Sequence, residues 1–534
     1  MDMNRFIIIF VLFTLLLAFV IFYSYYEIID SFGFSSATLG LIWKQNGKII
    51  INPVTNSIGF FEHNINQHSG RPIAHLFVGI FSLVSGIPII NIIFIPIPFI
   101  LSAIVFYNFL KRHIDVFSIF FVVSIGIIVN NASTMASTFY YISLGYSLSF
   151  LALFLIYKFL FYYESKLILL PILIFALIAP FTYYTSSFII TTAIVFFLVQ
   201  LWLSSKSLRY TRFPLISLFA TSIITFSLES IIYHVLKIIS IDILTQSFAK
   251  FYSIIISILF GSVSYSEYKP VFLHYQWLIN ILNNLYLICL LSLLVISFII
   301  VKFILHYKLS VILFGHDDFR ILGLFLFLSI WQIVVYFGVG EFNYALLWIY
   351  IALFIARWSF HLRGKGGFLN LLAKFIYLLM IVLLVIAYFK QFIFVIDNTY
   401  SLFFSNREPL VLFYLFSYPT SCNSGDHFNV YLIHLTYAYV LYYRALIGNY
   451  DCVNIKYFFI SPLTTNQDIC FANRNKSLIY VHHSNIPYPR VGVLGVLYRN
   501  VLYDVIRSYA TQKFIIYSDI YNQIYLIPPR TILC

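Results

Sequence analysis

The sequence predicts a polytopic α-helical membrane protein of about eleven spans, followed by a C-terminal extracytoplasmic domain of mixed α/β structure. Three observations carry that prediction. The 534 residues are 61% hydrophobic and only 10% charged, mean hydropathy is +0.93, and long apolar runs alternate with short basic spacers up to residue 396. A soluble domain is about one-quarter charged, so a soluble enzyme, a coiled coil and a disordered chain are all excluded. The net charge of +13 reads as membrane orientation rather than nucleic-acid binding, because most basic residues outside the C-terminal end stand in the spacers.

A hydrocarbon core about 30 Å thick takes roughly 17–25 apolar residues per helix. Spans are expected near 6–26, 89–110, 116–130, 142–163, 167–185, 188–204, 214–238, 278–301, 321–339, 345–358 and 375–396. The first follows Arg5 and lacks a small-residue cleavage site, so it reads as an uncleaved anchor with a cytoplasmic N-terminus. The run from Arg71 to Pro88 is taken as a half-buried interfacial helix inside an external loop, 24–88. On that choice Lys111, Arg112, Lys158, Lys166, Lys206, Arg209, Arg212, Lys302, Lys308, Arg320, Arg357, Arg363, Lys365 and Lys374 are all cytoplasmic, as the positive-inside rule requires. The chain is then a multi-pass protein of the cell membrane with its membrane part in 1–396 and residues 397–534 outside.

Four of the five cysteines, Cys422, Cys452, Cys470 and Cys534, fall in that last segment. Four in one external domain suggest two disulfides, in one of three pairings. Two glycosylation acceptors, at Asn131 and Asn475, also fall outside. Within 397–534, Leu410–Tyr418, Ile455–Ser461, Leu478–His483, Lys513–Asp519 and Ile524–Pro528 read as strands, being rich in aromatic and β-branched residues. Val430–Leu446 and Val493–Ala510 have helical spacing, and SDIYNQ is a turn. No nucleophile motif or phosphate loop stands here.

Ionisable residues are rare within the spans. Glu229 is the clearest; it either lines a polar cavity or is solvated near the outer surface. The external segments are richer, with Glu27, Asp30, Glu62, His63, His68 and Arg71 in the first, Lys250 and Lys269 later, and Glu341 in a short Gly-rich turn. Acids and bases thus gather on the side that bears the folded domain. An enzyme using a polyprenyl-phosphate sugar needs helices to hold the lipid tail, cations for its phosphate and a carboxylate to take the acceptor's proton. Asp30 is the first choice for that base and Glu27 the second; Arg71, Lys250 and Lys269 are candidates for the phosphate, and Glu62, Glu229 and Glu341 are further candidates. No cofactor is specified, a divalent metal being the one candidate, and the spacing of Glu62, His63 and His68 matches no strong metal pattern.

SSATLGLIWKQNGKIIINP followed by RPIAHLFVGIFSLVSGIP resembles the membrane half of GT-C superfamily glycosyltransferases, in which an acidic residue, a helix ending in Asn/Asp-Gly and a Pro-containing interfacial helix ending in Gly follow one another. YSDIYNQIYLI is similar to the terminal strand pair of many such enzymes. The resemblance implies transfer of a sugar from a polyprenyl-phosphate donor to a glycan, lipid or protein acceptor at the outer face. The sequence departs from the family where an acid commonly opens the helix: Ser35 or Ser36 stands there, and NNASTMASTFYYISLGYS has no acid. Either Asp30 or Glu27 substitutes, or the centre is lost and the chain is an inactive, membrane-anchored assembly protein whose external domain binds a partner. A transporter or flippase is disfavoured by the scarcity of intramembrane charge.

Overall fold

The computed structural model describes residues 39–41, 43–44, 72–93, 95, 97–129, 141–162, 166–203, 212–235, 276–314, 320–339, 345–363, 365–401 and five strand segments between 428 and 527. Its helices are α1 (Ile73–Ser85), α2 (Ile89–Ile93), α3 (Ile97–Leu110), α4 (Val116–Val123, continued as a π turn Ser124–Val129), α5 (Tyr141–Tyr162), α6 (Leu169–Ile178) and α7 (Tyr184–Leu203). They continue as α8 (Arg212–Val235), α9 (Gln276–Ile299, with a π turn Ile300–Ile304), α10 (Leu309–Phe314), α11 (Ile321–Val339), α12 (Ala345–Arg363) and α13 (Phe368–Ser401).

Six of them are long and apolar enough to cross a membrane: α5, α7, α8, α9, α12 and α13. Shorter apolar helices at Ile97–Leu110, Val116–Ile127, Leu169–Phe181 and Ile321–Gln332 coincide with four other expected spans. The expected span 89–110 is divided into α2 and α3; Pro98, the second residue of α3, lacks the N–H that a helix continuing through it from α2 would use. At Pro180 the regular helix α6 gives way to a 3₁₀ turn, Ala179–Phe181. The region 6–26 lies outside the described residues.

Side-chain contacts give the direction of each helix. Near one end, Ser147 of α5 donates to Pro98 O (2.6 Å) at the start of α3, and Gln332 of α11 donates to Tyr146 Oη (3.1 Å). Near the other end, the Tyr162 hydroxyl closing α5 bonds His113 Nε2 just past α3 (3.0 Å), and Arg320, before α11, lies over the Phe161 ring at 4.7 Å. Glu229 near the C-terminus of α8 meets Ser187 near the N-terminus of α7. Asp115 before α4 joins Tyr377 and Arg363, close to the α12–α13 connection. From α3 to α13 the long helices therefore alternate in direction, and the start of α3 and the far end of α13 share one end of the bundle. We call it the polar end. The other, the basic end, gathers Lys111, Arg112, Lys302, Lys308, Arg320, Arg357, Arg363, Lys365 and Lys374.

The core is aromatic. Phe106 packs edge-on to Phe150 (5.2 Å) and Phe154 (5.1 Å), and Phe109 stacks on Phe154 at 4.3 Å; such pairs add about 0.5–1.5 kcal/mol beyond burial. Large apolar side chains also cover the outside, among them Ile288, Leu291 and Val295 of α9 and Leu371, Leu378 and Val385 of α13. A surface of that kind calls for lipid rather than water.

α1 has 13 residues, about 20 Å at 1.5 Å each, too short to cross alone. Its small face, Ala74, Val78, Gly79 and Ser82, is buried, while Phe77, Ile80 and Val84 face outward. Gly79 lets the Trp43 ring approach so closely that a β-carbon there would stand 2.6 Å from Trp43 Cε3. Gly86 ends the helix in the left-handed conformation with φ 70°, its N–H bonded to Ser82 O.

Asp115 caps α4 by accepting from Ser118 N at 2.9 Å, and it also receives the Tyr377 hydroxyl and faces Arg363 Nη1 at 3.8 Å. Asp115→Ala removes the cap and a polar partner of a half-buried hydroxyl, and should cost about 1–2 kcal/mol. Asp115→Asn, which still caps, should cost less than half of that; unfolding of the detergent-solubilised protein measures both.

Toward the C-terminus, β1 (Phe428–Leu432), β2 (Val453–Tyr457), β3 (Ser477–His482), β4 (Phe514–Ser518) and β5 (Asn522–Ile527) form one sheet in the order β2-β1-β3-β5-β4. β1 is parallel to β2 and β3, and β5 is antiparallel to β3 and β4. Four of the five expected strands overlap this sheet. The opening residues of the helix expected at Val430–Leu446 instead belong to β1: the aromatic and β-branched run FNVYL pairs on both sides, and that tertiary pairing outweighs helical spacing. The expected strand Leu410–Tyr418, the helix Val493–Ala510, and Cys422, Cys452, Cys470 and Cys534 lie outside the described residues.

Candidate functional site

The polar end of the bundle holds the buried polar groups with the best claim to function. Gln332 is its hinge pin: Nε2 donates to Tyr146 Oη, while Oε1 accepts Leu346 N at 3.2 Å, so one amide ties α11, α5 and α12 together. Tyr146 is fully buried and its ring lies 5.8 Å from that of Tyr183. Gly145 opens the space beside it: a β-carbon there would stand 2.6 Å from both Ser186 Oγ and Tyr183 Cβ. On the other side of α5, Ser147 Oγ meets Ser102 Oγ at 2.8 Å and donates to Pro98 O.

Glu229 belongs to this group. Its position, 17 residues after Arg212, is about 26 Å along α8, inside the apolar stretch Leu215–Ile232. Only 8% of it is exposed, and Ser187 Oγ donates to Oε2 at 2.7 Å. The carboxylate is thus turned inward against α7 and is not a solvated surface group. One turn back on α8, Thr225 Oγ1 bonds Ala176 O (3.1 Å) and Thr221 O (2.9 Å). Among the described residues, Ser186 Oγ and Thr191 Oγ1 are buried with no hydrogen-bond partner. A polar seam therefore runs along α8 where it meets α6 and α7, with Glu229 as its acidic member. An acid inside an apolar, membrane-length helix is uncommon and is a candidate for function.

The other sequence candidates, Glu27, Asp30, Glu62, Arg71, Lys250, Lys269 and Glu341, lie outside the described residues. The helix ends that flank their segments are described, and those of α1, α8 with α9, and α11 with α12 belong to the polar end. Among the described residues no group of three His, Cys, Asp or Glu side chains is arranged to hold a metal. Lys44 also reaches this end, where Nζ donates to Ser82 Oγ at 3.2 Å.

No family model and no curated protein matches this chain. The chemistry of the site therefore has to be read from the chain's own residues.

Sequence reasoning overlooked the Gln332 bridge and the two tyrosine–histidine pairs of the basic end, His113 with Tyr162 and His361 with Tyr307 (3.0 Å each). Neither pair has a local pattern, since the partners are 49 and 54 residues apart. Asp115 did carry a signal: Asp-x-x-Ser before an apolar run is a helix start.

Proposed function

We propose that this protein is a GT-C-like membrane glycosyltransferase that moves a sugar from a polyprenyl-phosphate donor to a glycan, lipid or protein acceptor at the polar end. The observation that supports this reading most is the sorting of the two ends. Helix alternation brings the flanks of every acid-bearing segment named above to one end, and most of the described basic residues to the other, Lys44 and Lys390 being the exceptions. By the positive-inside bias the basic end is cytoplasmic, so the polar end and the sheet-forming segment face outward.

In this reading lipid-facing helices hold the polyprenyl chain, and Arg71, Lys250 and Lys269 neutralise its phosphate. Asp30, or Glu27, takes the proton of the acceptor hydroxyl as that oxygen attacks the sugar's anomeric carbon. The bond from that carbon to the phosphate oxygen breaks, its electron pair leaving with the polyprenyl phosphate. Glu229, held by Ser187, shapes the outer part of the bundle and is not asked to accept the proton. The test is transfer of radiolabelled sugar from polyprenyl-phosphate donors by the purified full-length chain. Transfer supports the reading, and its failure with several donors and a folded protein overturns it.

A second reading, an inactive membrane anchor whose outer domain binds an envelope partner, draws on the engagement of Glu229 by Ser187 and on the missing family acids. It predicts no transfer from any donor, together with capture of that partner by the intact chain.

A further inference from the structure

The structure assigns a second site, at the opposite end of the molecule. We propose that the turn Lys302–Lys308, braced against the end of α12, binds the phosphate of an anionic phospholipid in the adjoining leaflet. This inference stands apart from the glycosyltransferase reading and does not depend on it.

The turn is unusual along its whole length. α9 loosens into the π turn Ile300–Ile304, which carries Lys302. Leu305 N then bonds Ile300 O at 2.9 Å and Tyr307 N bonds Val301 O at 3.1 Å. Between them His306 adopts φ 55°, the one described non-glycine residue with positive φ. A side chain in that region is uncommon and carries a conformational cost, and π turns recur at functional sites. Tyr307 fastens the turn to α12: its hydroxyl bonds His361 Nε2 at 3.0 Å and its ring lies 5.4 Å from Trp358. Lys365 Nζ stands 5.8 Å from the same ring. Lys302 and Lys308 thus stand in the same short turn as the anchored Tyr307, and Lys365 reaches the ring of that tyrosine.

None of these three lysines pairs with a carboxylate among the described residues. Asp115, the described acid of this end, is taken up by Tyr377, Ser118 and Arg363. Among the described residues these three cations face no anion, and their neighbours point to the source of one. Phe303, Ile304 and Leu309 are 63%, 40% and 49% exposed and follow Lys302 and Lys308 directly in sequence. Free phosphate has no use for exposed apolar side chains; a phospholipid presents its headgroup to the lysines and its acyl chains to these residues. Each cation at an anionic membrane surface adds about fivefold in affinity.

The test uses full-length protein in detergent, titrated with phosphatidylglycerol or phosphatidylcholine and read by native mass spectrometry. Wild type should retain phosphatidylglycerol in preference. The triple variant Lys302→Gln, Lys308→Gln, Lys365→Gln should bind it at least about tenfold more weakly, and the corresponding triple arginine variant should keep the preference. A control with the same loss of charge at the same end, Lys111→Gln, Arg112→Gln, Lys374→Gln, should lose much less. Equal losses in both glutamine triples would reduce the site to diffuse charge, and no loss in the first would remove it. Inorganic phosphate that competes at millimolar concentration, with the same dependence on the three lysines, would overturn the lipid assignment. If the first triple does not fold, the exposed Lys308→Gln alone should weaken binding about fivefold, and an unchanged affinity there refutes the proposal.

Discussion

Replacing both Glu27 and Asp30 by alanine is expected to reduce sugar transfer by about 10²–10⁴-fold, the range over which a general base contributes. Both acids stand in the segment that leads to α1, and α1 packs beside the polar end. The single variants distinguish their roles: Asp30→Ala should account for most of the loss, and Glu27→Ala for less. Transfer at the wild-type rate in the double variant would move the base elsewhere. Donor binding should persist in the double variant, because the proposed phosphate contacts are cations, two of which, Lys250 and Lys269, stand on another segment and the third of which, Arg71, is left unchanged. A fall in the turnover rate at nearly constant KM is therefore the expected signature.

Gly145→Leu should destabilise the bundle by about 3 kcal/mol, at the upper end of ordinary overpacking. A β-carbon at 145 already meets Tyr183 Cβ and Ser186 Oγ at 2.6 Å. Tyr183 Cβ is fixed to its backbone, so relief requires α5 and α7 to separate. Separation would also pull Tyr146 from Gln332, and with it the contact that Gln332 makes to Leu346 N. Gly145→Ala should lie between wild type and leucine. Gly366→Ala, where an added β-carbon would meet nothing within 4 Å, should be nearly neutral. Denaturation in detergent, followed by circular dichroism, measures all three.

Much of the helical architecture was legible in the chain. Apolar runs such as Ile281–Ile304 leave few alternatives to a lipid-facing helix, because backbone groups in hydrocarbon must bond within their own segment. The basic spacers foretold which helix ends lie together, and the contacts at Tyr162 and Arg320 agree with them. The expected span 89–110 contains prolines that work against one continuous helix, and the structure divides it into α2 and α3. The β1 segment was misread for a physical reason: FNVYL suits either period over so short a run, and two parallel neighbours decide it.

The candidate site was legible as residue types but not as an arrangement. Hydropathy identified Glu229 as an acid in an apolar helix, yet whether it faced water or a neighbour depended on the rotation of α8 against α7, and Ser187 answers that at 2.7 Å. The Gln332 bridge joins positions 186 residues apart in sequence, beyond any local pattern. The proposed lipid site rests on the π turn and the left-handed His306, which hold Lys302 and Lys308 in one turn with Tyr307, and on Lys365 beside that ring. Sequence by itself determined that much of this chain forms apolar helices fit to span a membrane and, for most of the described ones, where they run, since solvent preference is a property of composition and period. Which polar groups meet was decided only by the tertiary structure, because helix rotation and crossing are set by close packing at residues such as Gly145 and Gly79.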